Sequence, residues 1–233
     1  MKNKDIFTFR DAEKQAGPVA FSTMLKPAGS ACNLDCHYCY YLDKAVQYGG
    51  RQAVMSDELL ELYVKQYIEA NEVPTVQFCW HGGEPLLLGV DFYRKAMDFQ
   101  QKYADGKKIE NILQTNGTLV DEAWCDLFAG NNFLVGISLD APQDIHDAFR
   151  LTKGGRPTFE RVMRTIEMFQ RSGVEYNTLS VVNRLCEGRG GEIYRFFRDT
   201  VHSRYMQFLP AVEHVVDKPG FHRPLIVSPD REG

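Results

Sequence analysis

A surplus of basic charge is absent from this 233-residue chain: 27 lysines and arginines face 31 aspartates and glutamates, for a net charge of −4. That balance leaves no electrostatic footprint for nucleic acid or an anionic membrane surface. No apolar run approaches the roughly 20 residues that a bilayer-spanning helix needs. The opening stretch, MKNKDIFTFRDAEKQ, is polar and lacks the apolar core of a signal peptide. Cysteine is scarce and unevenly placed. Of six cysteines, three crowd into eight residues, Cys79, Cys125 and Cys186 are scattered, and none follows Cys186. Such a distribution fits a reducing cytoplasm better than a secreted disulfide framework. The expectation is therefore a cytoplasmic chain with neither a nucleic-acid nor a membrane partner. What is present, 44% hydrophobic and 25% charged residues, is an ordinary globular composition, sufficient for one medium domain with a full core.

Hydrophobic periodicity alternates between strand and helix along the whole chain. Strands are predicted over 21–26, 76–80, 109–115, 133–139, 176–182 and 205–210. Helices are predicted over 56–70 with Ser56 as N-cap, 91–103, 121–130, one capped by Thr158 and closed by Gly173, and 192–201. Strands that each lead into a helix argue for parallel βα units. Right-handed crossovers place their working loops at the C-terminal strand ends, in a curled barrel or in a doubly wound open sheet. The pattern alone does not separate the two.

The clustered cysteines read Cys32-Asn-Leu-Asp-Cys36-His-Tyr-Cys39, a C-x3-C-x2-C spacing. One short loop so spaced can set three thiolates around a single four-iron cube (4Fe-4S), and a cube needs four ligands. The fourth iron is left open, and an open metal position is where chemistry happens. The alternatives are a zinc site completed by His37 or a distant ligand, and three buried, unliganded thiols. A structural zinc site usually shows paired cysteines or histidines downstream, and none appear. A polar loop carrying all three cysteines suits buried thiols poorly.

Polar and glycine-rich motifs follow the other strands: FCWHGGEP, LQTNGTL, SLDAP and, after the last, QFLP. Together with CNLDCHYCYY they resemble the radical S-adenosylmethionine (SAM) enzymes, and among them the anaerobic sulfatase-maturating enzymes, which carry an extra C-terminal iron–sulfur (SPASM) domain. The resemblance runs from about Phe21 to Gly233. It implies an α/β fold, the open (β/α)6 partial TIM barrel of the radical SAM core. It also implies two cofactors, a 4Fe-4S cluster on Cys32, Cys36 and Cys39 and SAM on the open iron. Tyr38 matches an aromatic that shields the cube, and Gly82, Gly83 and Glu84 match the motif that meets the amino group of SAM. Asn116, Ser138, Asp140 and Arg150 fall in matching segments, with the serine and arginine at the ribose and carboxylate ends. An arginine suits a carboxylate because its planar fork bonds both oxygens. The alternative for Arg150 is a surface ion pair with Asp147 or Asp144. Leu209 falls where backbone meets adenine, and Asn177 is a further position facing the cofactor. Tyr41 and His81 are the candidates for facing substrate.

The implied reaction is hydrogen abstraction from the Cβ of a cysteine or serine in a sulfatase precursor by a 5′-deoxyadenosyl radical. Loss of a proton and one electron then leads to Cα-formylglycine. The implied partners are a peptide or unfolded sulfatase precursor and a reducing donor such as flavodoxin or ferredoxin. Other peptide-modifying radical SAM enzymes share this core, and an inactive remnant that binds cluster or peptide only is a third reading. The sequence departs from the family pattern after Cys186. No cysteines remain there for auxiliary clusters, nor is there a segment for the family's acidic base, so no catalytic residue is assigned. The expected organisation is an N-terminal extension (1–20), a radical SAM core domain (21–212) and a connector (213–233) to an absent auxiliary-cluster domain. A barrel edge left without its sixth helix is expected to expose apolar surface.

Overall fold

The computed structural model describes residues 20–41 and 54–211, with Arg10, Gly17 and Pro18 besides. The expected extension and connector lie almost wholly outside those residues. Six strands form one sheet: β1 (Met24–Leu25), β2 (Thr75–Trp80), β3 (Lys108–Thr115), β4 (Phe133–Ser138), β5 (Glu175–Val182) and β6 (Met206–Pro210). Their spatial order is their chain order, and every neighbouring pair is parallel. A doubly wound sheet would reverse its strand order at a switch point. This one never reverses, so it curls into a partial barrel. β1 and β6 are not paired with each other, and the barrel stays open.

Helices pack on the outside: α1 (Asp57–Ala70), α2 (Val90–Tyr103), α3 (Glu122–Gly130), α4 (Gln143–Phe149), α5 (Phe159–Ser172) and α6 (Gly190–Arg195). α1 shows why the local sequence folds as it does. The Ser56 hydroxyl accepts from Leu59 N, and Asp57 and Glu58 occupy the positive first turn. Leu60, Val64, Tyr67 and Ile68, spaced three and four apart, bury one face. Lys107 Nζ donates to the carbonyls of Ile68 and Asn71 at the other end. Along the strands, alternate residues such as Val76, Phe78, Trp80, Leu113, Val135 and Ile137 point outward into the helical layer and are buried. The inward positions Cys79, Gln114, Ser138 and Asn177 stay partly exposed. The core therefore lies between sheet and helices, and the inner face is a polar trough.

Four local features differ from the sequence reading. β1 is two residues long rather than six, because Phe21 bonds sideways: its N–H donates to Asn71 Oδ1 and its carbonyl accepts from the Tyr67 hydroxyl. α4 follows β4 where no helix was read. Thr158 holds the N-cap position of α5 as read, but its side chain makes no capping bond, and Asp147 supplies the acceptor. The Asp147 carboxylate accepts from the N–H groups of Thr158 and Phe159, while the Thr158 hydroxyl turns to the Arg150 carbonyl. Finally, the predicted helix over 192–201 starts at Gly190 and widens into a π turn at Phe196–Thr200, where Val201 N–H reaches back to the Phe196 carbonyl. Met24 on β1 and Phe208 and Leu209 on β6 are exposed.

Candidate active site

The C-terminal ends of the strands gather the predicted residues. Cys36 is buried, and Cys32 and Cys39 are half-buried. Their loop is held from two sides. Asp35 N–H and His37 N–H donate to the carbonyls of Leu151 and Phe149 at and just beyond the end of α4. Asn33 Nδ2 donates to Thr118 Oγ1, and Asn33 Oδ1 accepts from Asn116 Nδ2, which also approaches Cys32 Sγ at 3.8 Å. Burial pushes the Cys32 thiol up to about 11 and the Cys36 thiol up to about 12, and the charges of neighbouring thiolates raise these two further. Thiols so buried ionise only against a bound cation. Among the described residues no three His, Cys, Asp or Glu side chains converge on one ion. A four-iron cube gives each thiolate its own iron, so its ligands stand apart. A donor set of three thiols from one loop fits that group.

The loop after β2 seals against the cysteine loop. Gly83 N–H donates to the Gly29 carbonyl, and Glu84 N–H to the Ala31 carbonyl. A Cβ on Gly83 would lie 2.1 Å from the Ala31 oxygen, so only glycine allows this approach. Gly82 sits at φ 126°, where a side chain is strained. The carbonyls of Gly82 and Gly83 receive no hydrogen bond from the described residues. Glu84 joins this loop to the end of β3. It is fully buried, and its oxygens accept from Leu86 N–H, Thr115 Oγ1 and Asn116 N–H. Burial outweighs those donors and pushes its carboxyl up to about 7.

On the other side, the Asp140 carboxylate accepts from the Tyr38 hydroxyl, Arg150 Nε (3.1 Å) and Val181 N–H (2.8 Å). Arg150 is only 8% exposed and lies over the Tyr38 ring. It is therefore not the surface ion pair considered above: Asp144 pairs with Arg189, and Asp147 caps α5. With Nε engaged, both Nη groups of Arg150 lack acceptors among the described residues. Ser138 Oγ accepts from Gln114 Nε2 and keeps its own proton to donate. Asn116 binds the cysteine loop and Glu84, so it braces the site from within. Leu209 is exposed on β6, paired with Val181. Tyr41 is buried with its ring 6.2 Å from that of His81, and Lys26 Nζ lies 5.1 Å over the Tyr41 ring. His81 Nδ1 accepts from Gly82 N–H, and burial lowers the His81 pKa. Asn177 lies on the inner face of β5, in register with Gly136, and its buried Oδ1 has no partner among the described residues.

Two contributors escaped the sequence reading, His146 and Thr158. Both are buried behind Asp140 and Arg150. A shallow depression of about 260 Å³ lies elsewhere, between α3 and α5, lined by Glu122, Asp126 and Arg171. It is remote from the strand ends and shares none of these residues.

Three thiols of one loop, a glycine pair and a buried arginine gathered at the mouth of an open parallel barrel are the donor set of an iron–sulfur enzyme core. The chain belongs to the radical SAM superfamily, whose family model matches residues 27–186; members use a 4Fe-4S cluster and SAM. It is 47% identical over 194 residues to the serine-type anaerobic sulfatase-maturating enzyme of Bacteroides thetaiotaomicron, covering 83% of this chain and 47% of that protein. It is 39% identical over 209 residues to the cysteine-type enzyme of Clostridium novyi, covering 87% of this chain and 54% of that protein. The solved structure of anSMEcpe with bound AdoMet and Kp18Cys peptide superposes with a TM-score of 0.80 at 35% identity, covering 89% of this chain and 56% of that one. This chain thus spans about half the length of the relatives it matches. Streptococcus suis SuiB bound to S-adenosylmethionine shares the fold, with a TM-score of 0.58 at 15% identity. Among the described residues no helix is long and apolar enough to cross a membrane.

Proposed function

We propose that this chain is the radical-generating core of an anaerobic sulfatase-maturase-type enzyme, acting in the cytoplasm on a cysteine or serine of a sulfatase-derived peptide. The observation that carries this reading is the seal between two loops: the backbone of Gly83 and Glu84 bonds to Gly29 and Ala31, beside Cys32. That seal sets the free carbonyls of the glycine pair next to the thiols. Cys32, Cys36 and Cys39 would hold the cluster. The Gly82 and Gly83 carbonyls suit an ammonium group, and the Arg150 fork suits a carboxylate. Ser138 would donate to the ribose, and the Leu209 backbone would lie along the adenine. When bound and reduced by a donor such as flavodoxin or ferredoxin, the cluster would supply the electron for reductive cleavage of SAM. Tyr41 and His81 stand at the peptide side. His81, its pKa lowered by burial, acts there as a neutral hydrogen-bonding group. Asp140 and Glu84 keep the surrounding loops in place and exclude water from beneath the site.

The test is isotope transfer. The reconstituted chain, reduced with SAM, is given sulfatase-derived peptides whose target cysteine or serine carries deuterium on Cβ. The expected result is deuterium in 5′-deoxyadenosine with at least one peptide. Unlabelled 5′-deoxyadenosine with both peptides would remove the maturase reading and leave only the superfamily core.

A further inference from the structure

Arg150 does not stand alone behind the mouth of the barrel. Asp140 N–H donates to His146 Nδ1 at 3.3 Å, and His146 Nε2 meets Thr158 Oγ1 at 3.0 Å. The Thr158 hydroxyl donates to the Arg150 carbonyl at 2.7 Å, and Arg150 Nε returns to Asp140 Oδ2 at 3.1 Å. The four residues close a ring, and all are buried. Every proton in it can be assigned. The Asp140 amide can only donate, so His146 Nδ1 is bare and the neutral ring carries its hydrogen on Nε2. The Arg150 carbonyl can only accept, so it takes the single hydroxyl proton of Thr158, whose oxygen then accepts from His146. A protonated imidazole would set two N–H groups against each other at Asp140. Burial and the nearby Arg150 charge agree, lowering the His146 pKa to about 4.

We infer that His146 and Thr158 are positioning residues: they hold the backbone and guanidinium of Arg150 in place, with both Nη groups turned to the carboxylate of SAM. The ring ties Arg150 at both ends, through its carbonyl and through Nε. The Tyr38 hydroxyl extends the ring to the cysteine loop, so the cluster loop and the arginine share one buried carboxylate. Opening such a network leaves a buried donor or acceptor unpaired, and a positioned group loses effect when its support loosens. The inference rests on the proposed SAM site.

The experiment measures SAM affinity on anaerobically reconstituted protein, with iron and sulfide content as the control. Thr158→Val removes the hydroxyl at nearly constant shape, and Thr158→Ser retains it. The expected result is SAM binding weakened about tenfold in Thr158→Val, roughly 1.4 kcal/mol, with wild-type iron content and with Thr158→Ser close to wild type. Equal affinity in Thr158→Val and wild type, or equal losses in both variants, would overturn the inference. Should Thr158→Val fail to hold iron, nitrogen NMR of the His146 ring in the unaltered chain decides. An Nε2-protonated neutral ring is expected, and an Nδ1-protonated ring contradicts the network. A fully loaded wild-type protein that does not bind SAM would instead strike the SAM site itself.

Discussion

Two carboxylates lie fully buried at the strand ends, and they are held in opposite ways. Glu84, after β2, accepts only from neutral donors: two backbone amides and a threonine hydroxyl. Asp140, after β4, accepts from a guanidinium as well as from a phenol and an amide. Both clamp loops to their neighbours, but only one does so with a countercharge. A buried carboxylate without a cation drifts toward its neutral form, and Glu84 is raised to about 7. The Glu84 side is thus a backbone seal, made by glycines and amides. The Asp140 side is an electrostatic mount that carries an arginine. One site uses the first to join two loops and the second to aim a charge.

The comparison can be broken at either carboxylate. Asp140→Ala leaves Arg150 buried without its partner. Removing one member of a buried pair is expected to destabilise the chain by about 3–5 kcal/mol, read by urea unfolding. A loss under about 1 kcal/mol would mean that the mount is not a charge pair.

Next in size is the pH response of Glu84. Its folded-state pKa, about 7 against an ordinary 4.5, lies above its unfolded value. The folded chain therefore binds more protons across that window. The stability contribution is full below about pH 4.5 and is lost as pH rises through about 7, a change on the order of 3 kcal/mol. The stability difference between wild type and Glu84→Gln, followed from pH 4.5 to 8, should fall in that direction. A flat difference would contradict the account.

Gly83→Ala attacks the seal without touching charge. Its Cβ would meet the Ala31 carbonyl, and the forced separation is expected to cost about 1–3 kcal/mol in thermal unfolding. Weaker iron retention should accompany it, because Ala31 precedes Cys32. The smallest effect belongs to Asp147→Ala. It removes the α5 cap next to the Arg150 mount and should cost about 1 kcal/mol, with iron content unchanged.

The sequence made the strands, the cysteine loop and the glycine pair legible because each is a local signal: alternation, spacing and φ freedom. Six parallel units were readable, but their order was not, since nothing local distinguishes a curled sheet from a doubly wound one. The resemblance to radical SAM enzymes supplied the curled form, and the consecutive pairing agrees with it. The misses were tertiary. Thr158 stands at the N-cap of α5 as read, but the oxygen that takes the N–H groups there belongs to Asp147, 12 residues before the helix, where a reading of adjacent residues does not look. Phe21 looked like strand because of its neighbours, yet α1 captured its backbone. Glu84 was read from its motif alone, and no local pattern could show that Leu86, Thr115 and Asn116 donate to its oxygens. His146 sits on α4 four residues before its C-cap Arg150, but its side-chain partners Asp140 and Thr158 come from other segments.

The most direct measurement for the central claim is 5′-deoxyadenosine release. The chain is reconstituted anaerobically with iron and sulfide, reduced in the presence of SAM and assayed by chromatography, beside a Cys32→Ala/Cys36→Ala/Cys39→Ala variant. The account predicts 5′-deoxyadenosine from wild type and none from the variant. Equal yields from both, or none from a wild-type protein carrying a complete four-iron cluster, would contradict it.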